Sequence, residues 1–143
     1  MIILDTNVIS ELIRPEPSPA VAGYFKHLNR EDWYITAITA AELRSGCALL
    51  PDGKKRDNLT QRVEAVLTGP FFNRILAFDA EASRSYADVA VQWRAAGRPI
   101  SYFDALIAAI VLSKGATLAT RNTKDFAFCQ IRLVNPWTEN LPT

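Results

Sequence analysis

The chain has 143 residues, of which 49% are apolar and 22% are charged, a composition typical of a globular protein rather than a disordered one. Its 16 basic and 15 acidic residues give a formal net charge of +1, which excludes a histone-like basic arm or an acidic tail. At this length we expect a single domain over residues 1–143.

Several features favour a protein of the reducing cytoplasm and not of a membrane. The longest apolar run, residues 105–112, is too short to span a bilayer. The start Met-Ile-Ile-Leu-Asp lacks the basic and apolar regions of a signal peptide. Cys47 and Cys129 have no paired spacing, and His27 is the only histidine in the sequence, which nearly excludes a zinc site of the usual ligands.

The first half of the chain alternates predicted strands with predicted helices. Ser18 followed by Pro19 is typical of a helix start. Thr39 and Glu42, three residues apart, match a capping box at the start of the next helix. In chain order the elements are a strand at 2–4, a helical stripe at 8–13, another at 21–28, a strand at 33–36, and helical stripes at 43–50 and 59–67.

The second half continues the alternation. Asp79 is interpreted as the N-cap of a helix that Gly97 and Pro99 close. Ser101 caps a helix that ends at Gly115, and because this helix is apolar nearly all round, we expect it to be central and buried. In chain order the elements are a strand at 74–78, a helical stripe at 86–93, a helix at 102–114, and strands at 117–119 and 130–134.

This alternation predicts an α/β/α sandwich around a mostly parallel five-stranded sheet. Four acidic residues are expected at one edge of this sheet. Asp5 directly follows the first strand, and Glu42 lies early in the helix after the second strand. Asp104 opens the buried helix, and Asp125 lies in the loop after the fourth strand. Because strand ends and the following helix starts share one edge of a parallel sheet, where ligands bind, we expect the four carboxylates to gather there.

Ionised carboxylates gathered in one cleft repel one another. At about 4 Å and an effective dielectric constant near 20, each pair costs on the order of 4 kcal/mol, so the site needs protonation or a cation. Without histidine or cysteine ligands the donors are all oxygen, which suits Mg²⁺ or Mn²⁺. An ion held this way polarises a phosphoryl oxygen and lowers the pKa of a water, which is the chemistry of phosphodiester hydrolysis.

Each of these acids also has a purely structural interpretation. Glu42 alone fits a capping box, Asp104 a cap partner, and Asp5 a strand-end N-cap. Asp125 lies in a segment with good turn chemistry. For Asp104 the functional interpretation is favoured, because a carboxylate that opens an apolar, buried helix is costly without a partner.

Two arginines flank the acidic residues along the chain. Arg44 is two residues beyond Glu42, and Arg121 is four residues before Asp125. Guanidinium groups bind phosphates through two parallel hydrogen bonds, so both are candidate contacts for an RNA phosphate. The alternative, that they only balance local negative charge, stays open at this point.

Four segments of the chain together resemble a known family. They are IILDTNVIS at 2–10, TAAELRSG at 39–46, DALIAA at 104–109 and LATRNTKDF at 118–126. In this order they resemble the PIN-domain ribonucleases, and among these the VapC-type toxins of bacterial toxin–antitoxin pairs. No single segment is specific, but the set extends over nearly the whole chain.

The resemblance implies a Mg²⁺- or Mn²⁺-dependent endoribonuclease with a PIN-like α/β/α fold. It implies that Asp5 and Asp104 are the most direct metal ligands, and that Asn7 and Thr120 support the site. The family's acidic quartet corresponds to Asp5, Glu42, Asp104 and Asp125.

The resemblance also implies partners. These are an RNA substrate, a second copy of the chain in a homodimer, and a small antitoxin that inserts a peptide across the cleft. Operator DNA would be contacted only through the antitoxin.

Two rival functions remain compatible with the residues alone. An aspartyl-phosphate phosphatase or a phospho-accepting receiver domain also has acidic strand ends, although Asn7 stands where the phosphatases usually have a second aspartate. The other rival is an RNA-binding module that kept the fold and lost catalysis. The presence of all four acidic residues of the quartet argues against this alternative.

Overall fold

The computed structural model describes residues 1–97 and 100–139. Within this part of the chain five strands form one sheet in the order β3-β2-β1-β4-β5, and all four pairings are parallel. The predicted sheet is confirmed, although the third and fifth strands are shorter than predicted. The strands are β1 (Ile2–Leu4), β2 (Trp33–Thr36), β3 (Ile75–Leu76), β4 (Thr117–Ala119) and β5 (Arg132–Val134).

Helices connect the strands, and none in the described ranges is long and apolar enough to cross a membrane. Gly97 and Gly115 end α5 and α6 with φ of 68° and 60°, the left-handed conformation that glycine adopts readily. Pro99, the other predicted end of α5, lies outside the described residues. The helices are α1 (Thr6–Leu12), α2 (Pro19–Lys26), α3 (Ala37–Ala48), α4 (Lys54–Thr68), α5 (Ala80–Ala96), α6 (Tyr102–Lys114) and α7 (Thr123–Phe126), with a 3₁₀ turn at Arg30–Asp32.

The predicted capping box of α3 is wrong. The backbone N–H of Thr39 donates to Thr36 Oγ1 at 3.0 Å, so Thr36 is the N-cap and Thr39 already belongs to the first turn. The helix therefore begins three residues earlier than the capping box requires. As a result Glu42 lies in the second turn, where its carboxylate has no capping role.

The sheet separates two apolar cores, because successive strand residues face opposite sides. Ile2 and Leu4 of β1 pack into the core shared with α1–α4, whereas Ile3 packs into the core shared with α5–α7. Residues 107–111 of α6 are fully buried, which confirms the prediction of a central helix. Helices on both faces of one parallel sheet confirm the α/β/α sandwich.

The strand order creates a crevice at the carboxyl ends of β1 and β4. The chain runs outward from β1 through β2 to β3 and then returns to β4 on the other side of β1. Ligands of open parallel sheets bind where the strand order reverses in this way. Asp5 directly follows β1 and Thr120 directly follows β4, so both residues lie at this crevice.

Candidate active site

Asp5 is the most deeply buried acid of the crevice, with 5% of its surface exposed. Its Oδ1 accepts from the backbone N–H of Thr6 at 2.8 Å, which makes it the N-cap of α1. Its Oδ2 accepts from Thr120 Oγ1 at 2.7 Å and from Asn7 Nδ2 at 3.4 Å. Burial raises the pKa of Asp5, against the opposing effect of the hydrogen bonds from Thr120 and Thr6.

Hydrogen bonds between Asn7 and Thr120 connect the first turn of α1 to the segment that follows β4. Asn7 Nδ2 lies 3.4 Å from Thr120 Oγ1, and Asn7 Oδ1 accepts from the backbone N–H of Arg121 at 3.2 Å. Thr120 Oγ1 also accepts from the backbone N–H of Asn122 at 3.1 Å. The hydroxyl of Thr120 therefore uses its one proton on Asp5 and its lone pairs on neighbours, which fixes its orientation.

Glu42 reaches the same crevice from the second turn of α3. Thr6 Oγ1 donates to Glu42 Oε1 at 2.9 Å, and Thr39 Oγ1 lies 3.2 Å from the same hydroxyl. Burial raises the pKa of the Glu42 carboxyl, the hydrogen bond from Thr6 lowers it, and the charge of Asp5 raises it. Thr6 thus holds two acidic residues at once, Asp5 through its backbone and Glu42 through its side chain.

Asp104 is half-buried in the first turn of α6 and interacts with all the other predicted acids. Burial, together with the negative charges of three carboxylates, raises its pKa to about 6. Those carboxylates are Asp5, Asp125 and Glu42, in order of decreasing effect. Asp104 therefore lies within electrostatic reach of each of the three other acids.

Asp125 lies in a helix rather than in the predicted loop. It is exposed in the short helix α7, where its backbone N–H donates to the carbonyl of Asn122 at 3.0 Å. The Asn-Thr-Lys-Asp sequence that suggested a turn starts this helix instead. Asp125 and Asp104 together line a pocket of about 200 Å³.

The donor chemistry of the crevice suits a hard divalent cation. The oxygens come from carboxylates that repel one another, and a cation among them would oppose both the burial and the repulsion that raise the pKa of Asp104. Within residues 1–97 and 100–139, however, no three Asp, Glu, His or Cys side chains are arranged to hold a metal ion by themselves.

Comparison with known proteins places the chain in a family. The model of the PIN domain family matches residues 2–132. The chain belongs to the PIN-domain family. The resemblance drawn from the four sequence segments is confirmed, and membership argues against the phosphatase and receiver alternatives.

Individual relatives cover nearly the whole of this PIN-domain chain. The VapC ribonuclease Y4jK of Sinorhizobium fredii is 43% identical over 137 residues, which are 96% of this chain and 98% of the relative. The toxin FitB of Neisseria gonorrhoeae is 42% identical, over 96% of this chain and 99% of the relative. A chain in the solved structure of FitAB bound to an IR36 DNA fragment superposes with a TM-score of 0.89 at 41% identity, over 98% of both chains.

Cys129, close to Asp104 in this PIN-domain fold, is unsuited to act as a nucleophile. Burial, and after it the charge of Asp104, raises the pKa of its thiol to about 11. Cys129 and Cys47 are both free and buried, on opposite faces of the sheet. Cys129 therefore does not provide the thiolate that nucleophilic chemistry needs.

The two predicted phosphate-binding arginines differ in their surroundings. Arg44 forms a two-pronged ion pair with Glu64 of α4, with distances of 2.7 Å and 3.1 Å. Arg121 packs over the ring of Trp137, with Cζ 4.9 Å from the ring centroid. Glu64 occupies the donors that a phosphate would use on Arg44. Arg121 contacts Asn7 only through its backbone N–H, and its guanidinium lies over Trp137.

Two residues of the site were not among the sequence predictions. Thr6 follows Asp5 directly, and a hydroxyl one residue after a strand-end acid was the available signal. Trp137, which packs against Arg121, gave no signal, because the contact joins the end of the described chain to the turn after β4.

Proposed function

We propose that this PIN-domain chain is the endoribonuclease toxin of a toxin–antitoxin pair and hydrolyses RNA phosphodiester bonds with Mg²⁺ or Mn²⁺. The observation that carries this proposal is the position of Asp104 in the field of three other carboxylates at the carboxyl edge of the sheet. The names of two relatives, a VapC ribonuclease and a toxin, support the same activity.

Asp5 and Asp104 are the residues that would hold the ion. Asp5 Oδ1 accepts one hydrogen bond, from Thr6, and so keeps a lone pair for a cation. Glu42 and Asp125 would complete the shell, through water or a second ion. When bound, the ion supplies a polarised phosphoryl oxygen and a water of lowered pKa.

The other residues of the crevice position these carboxylates. Thr120 and Asn7 fix Asp5 Oδ2, and Thr6 fixes Glu42 Oε1, so the two acids are oriented before a substrate arrives. Such hydrogen bonds to ligating groups set their direction and basicity. Arg121, and Arg44 once Glu64 releases it, would bind phosphates of the RNA on either side of the hydrolysed bond.

The comparison supports an antitoxin as a partner, because solved FitAB and VapBC complexes are among the structures that this chain resembles. We propose a cytoplasmic homodimer that a small antitoxin inhibits by placing a peptide across the crevice. Operator DNA would be bound through the antitoxin, and the FitAB relative was solved in complex with a DNA fragment.

Cleavage assays with matched variants test the catalytic proposal. The purified chain, supplied with Mn²⁺, should cut single-stranded RNA, and EDTA should stop the reaction. Asp5→Asn and Asp104→Asn should each reduce cleavage by about a hundredfold or more while the chain stays folded. Asp79→Asn is the matched control, because Asp79 is also a helix N-cap, at the start of α5, and accepts from the backbone N–H of Ala82 at 2.9 Å.

The assay contradicts the proposal if either site variant cuts RNA like the parent, or if the parent is indifferent to EDTA. Expression in a bacterial host gives an independent readout, since the parent should arrest growth and Asp5→Ala should not.

A further inference from the structure

The contact between Arg121 and Trp137 is built by the last two strands of the sheet. Cζ of Arg121 lies 4.9 Å from the centroid of the Trp137 ring, a distance at which a guanidinium is attracted to an aromatic face. β4 and β5 are paired, and the backbone N–H of Thr120 continues their ladder to the carbonyl of Val134 at 2.9 Å. Arg121 directly follows Thr120, and Trp137 comes three residues after Val134, so the pairing brings the two side chains together.

The segment after β5 fixes the position of the Trp137 ring. The backbone N–H of Trp137 donates to Asn135 Oδ1 at 3.0 Å, which turns the chain directly after the sheet. The half-buried ring packs against the apolar core that α1–α4 share. Two residues further on, Glu139 lies close to Tyr24 of α2, since its charge adds to burial in raising the pKa of the tyrosine hydroxyl. The indole is therefore anchored both by its own backbone and by the core.

Arg121 lies on the α1 side of the crevice, close to Glu11. The pKa of Glu11 is lowered by hydrogen bonds from the Ser18 backbone and from Arg14, and to a smaller extent by the charge of Arg121. The two hydrogen bonds have lengths of 2.8 Å and 3.1 Å. The acids Asp104 and Asp125 belong to α6 and α7, on the other face of the sheet.

The stacked guanidinium of Arg121 keeps its hydrogen-bond donors available. Stacking uses the flat face of the group, whereas its N–H donors lie in the plane and point outward from its edge. In the part of the chain that the structure describes, the side chain of Arg121 forms no hydrogen bond or salt bridge. Arg44, by contrast, already donates twice to Glu64. A fixed cation with unused donors suits a phosphate, which accepts two parallel hydrogen bonds.

We propose that Trp137 is a positioning residue, which orients Arg121 to bind one RNA phosphate on the α1 side of the hydrolysed bond. This inference rests on the proposed ribonuclease activity and gives a role to a residue outside the acidic site. Without the ring, the long side chain of Arg121 would occupy many rotamers, and a phosphate would have to order it on binding. Loss of Trp137 should therefore weaken substrate binding and leave the hydrolytic step unchanged.

The connection between Arg121 and Asp5 favours a phosphate of the substrate over a carboxylate of a protein partner. Asn7 Oδ1 accepts from the backbone N–H of Arg121 at 3.2 Å, and Asn7 Nδ2 donates to Asp5 Oδ2 at 3.4 Å. One side chain thus fixes the arginine backbone relative to the carboxylate that would hold the ion. An RNA strand that is hydrolysed at Asp5 and leaves the crevice on the α1 side brings its next phosphate to Arg121.

The test measures KM and kcat on a short single-stranded RNA in the presence of Mn²⁺. Arg121→Gln should raise KM about tenfold, because it removes a charged hydrogen-bond donor. Trp137→Leu should raise KM about three- to fivefold with little change in kcat, and Trp137→Phe, which retains a ring, should raise it less. Arg30→Gln is the matched control and should keep the KM of the parent. Arg30 also packs over a tryptophan, with Cζ 6.0 Å from the ring of Trp33, but precedes β2 at the opposite edge of the sheet.

A double variant separates positioning from a merely structural role. In the Arg121→Gln background, Trp137→Leu should leave KM unchanged, because no guanidinium remains to be oriented. A structural role would instead give the same defect in both backgrounds. Salt dependence adds a second readout, since the slope of log KM against log salt concentration should shrink by about 0.7 in Arg121→Gln, for one lost phosphate contact on a single strand.

Three outcomes overturn the inference. If Trp137→Leu raises KM equally in both backgrounds, or lowers kcat instead, Trp137 does not act through Arg121. If Arg121→Gln keeps the KM of the parent, whether or not it alters the binding of a protein partner, Arg121 does not bind the substrate. The ribonuclease proposal stands in both cases. If the parent cuts no RNA with Mn²⁺, the proposed function fails, and the role of Trp137 fails with it.

Discussion

The hydroxyl of Thr120 donates to Oδ2 of Asp5 at 2.7 Å, although 115 positions separate the two residues in sequence. The bond joins the residue after β4 to the residue after β1, and both residues are buried. It exists because β1 and β4 are neighbouring parallel strands whose carboxyl ends meet. One carboxylate of the crevice is thereby oriented before any ligand arrives.

Removing this hydroxyl should weaken both the site and the fold. Thr120→Val keeps the shape but leaves Asp5 Oδ2 without its shortest hydrogen bond, which should cost about 1–3 kcal/mol in the free energy of unfolding. Mn²⁺ affinity should fall about 10- to 100-fold. Urea unfolding and Mn²⁺ titration measure the two effects, and Thr120→Ser, which retains the hydroxyl, should behave like the parent.

Thr6 should prove necessary for the position of Glu42. Thr6→Val removes the hydroxyl that donates to Glu42 Oε1 but keeps the backbone N–H that donates to Asp5 Oδ1, so α1 should stay intact. RNA cleavage should fall about tenfold, because the Glu42 carboxylate loses its orientation. Thr6→Ser should restore cleavage. If Thr6→Val cuts RNA like the parent, Glu42 does not depend on this hydrogen bond.

The raised pKa of Asp104 predicts a pH-dependent cost to stability. The folded chain holds this proton up to about pH 6, whereas the unfolded chain releases it near 3.8. Stability therefore falls as pH rises through this window, and the full cost remains above it. In EDTA at pH 7.5, Asp104→Asn should be more stable than the parent by about 1–2 kcal/mol, because solvent screens the exposed half of the Asp104 side chain.

Urea unfolding of the parent and of Asp104→Asn at pH 7.5 and pH 4 measures how the difference in their free energies of unfolding depends on pH. The advantage of Asp104→Asn should shrink toward zero at the lower pH, because the parent carboxyl is then protonated in the folded state. A stability difference of the same size at both pH values would contradict the electrostatic origin.

The sequence predicted the architecture because each element carried its own local signal. The alternation of apolar runs, Ser101 before α6 and Gly115 after it are local features, and the structure contains each of them. The positions of Asp5 after a strand and of Asp104 in the first turn of a helix were predictable for the same reason, since both kinds of position are visible in sequence. Their proximity then follows from the parallel topology alone.

Two predictions were wrong, the capping box at Thr39 and the loop at Asp125, and in both segments more than one local pattern fits the sequence. Thr36, Thr39 and Glu42 are each three residues apart, so two capping registers match, and only tertiary packing selects Thr36. Asp125 lies in a segment that suits a turn or a short helix equally well. The hydrogen bond from Thr6 to Glu42 spans 36 positions, a separation at which sequence patterns carry no signal.

Divalent cations should stabilise the folded chain through the two predicted ligands. Mn²⁺ at about 100 times its Kd should add about 2.7 kcal/mol, which appears as a higher melting temperature. Asp5→Asn and Asp104→Asn should lose most of this increase, whereas Asp79→Asn should keep it. An equal increase in all four proteins would place the bound ion elsewhere.

The location of the ion is the most direct test of the central claim. A crystal of the parent chain soaked in Mn²⁺ and measured near the manganese absorption edge should show an anomalous peak between the carboxylates of Asp5 and Asp104. Manganese bound only at other sites, at a concentration that supports RNA cleavage, would contradict the claim that these carboxylates form the metal centre.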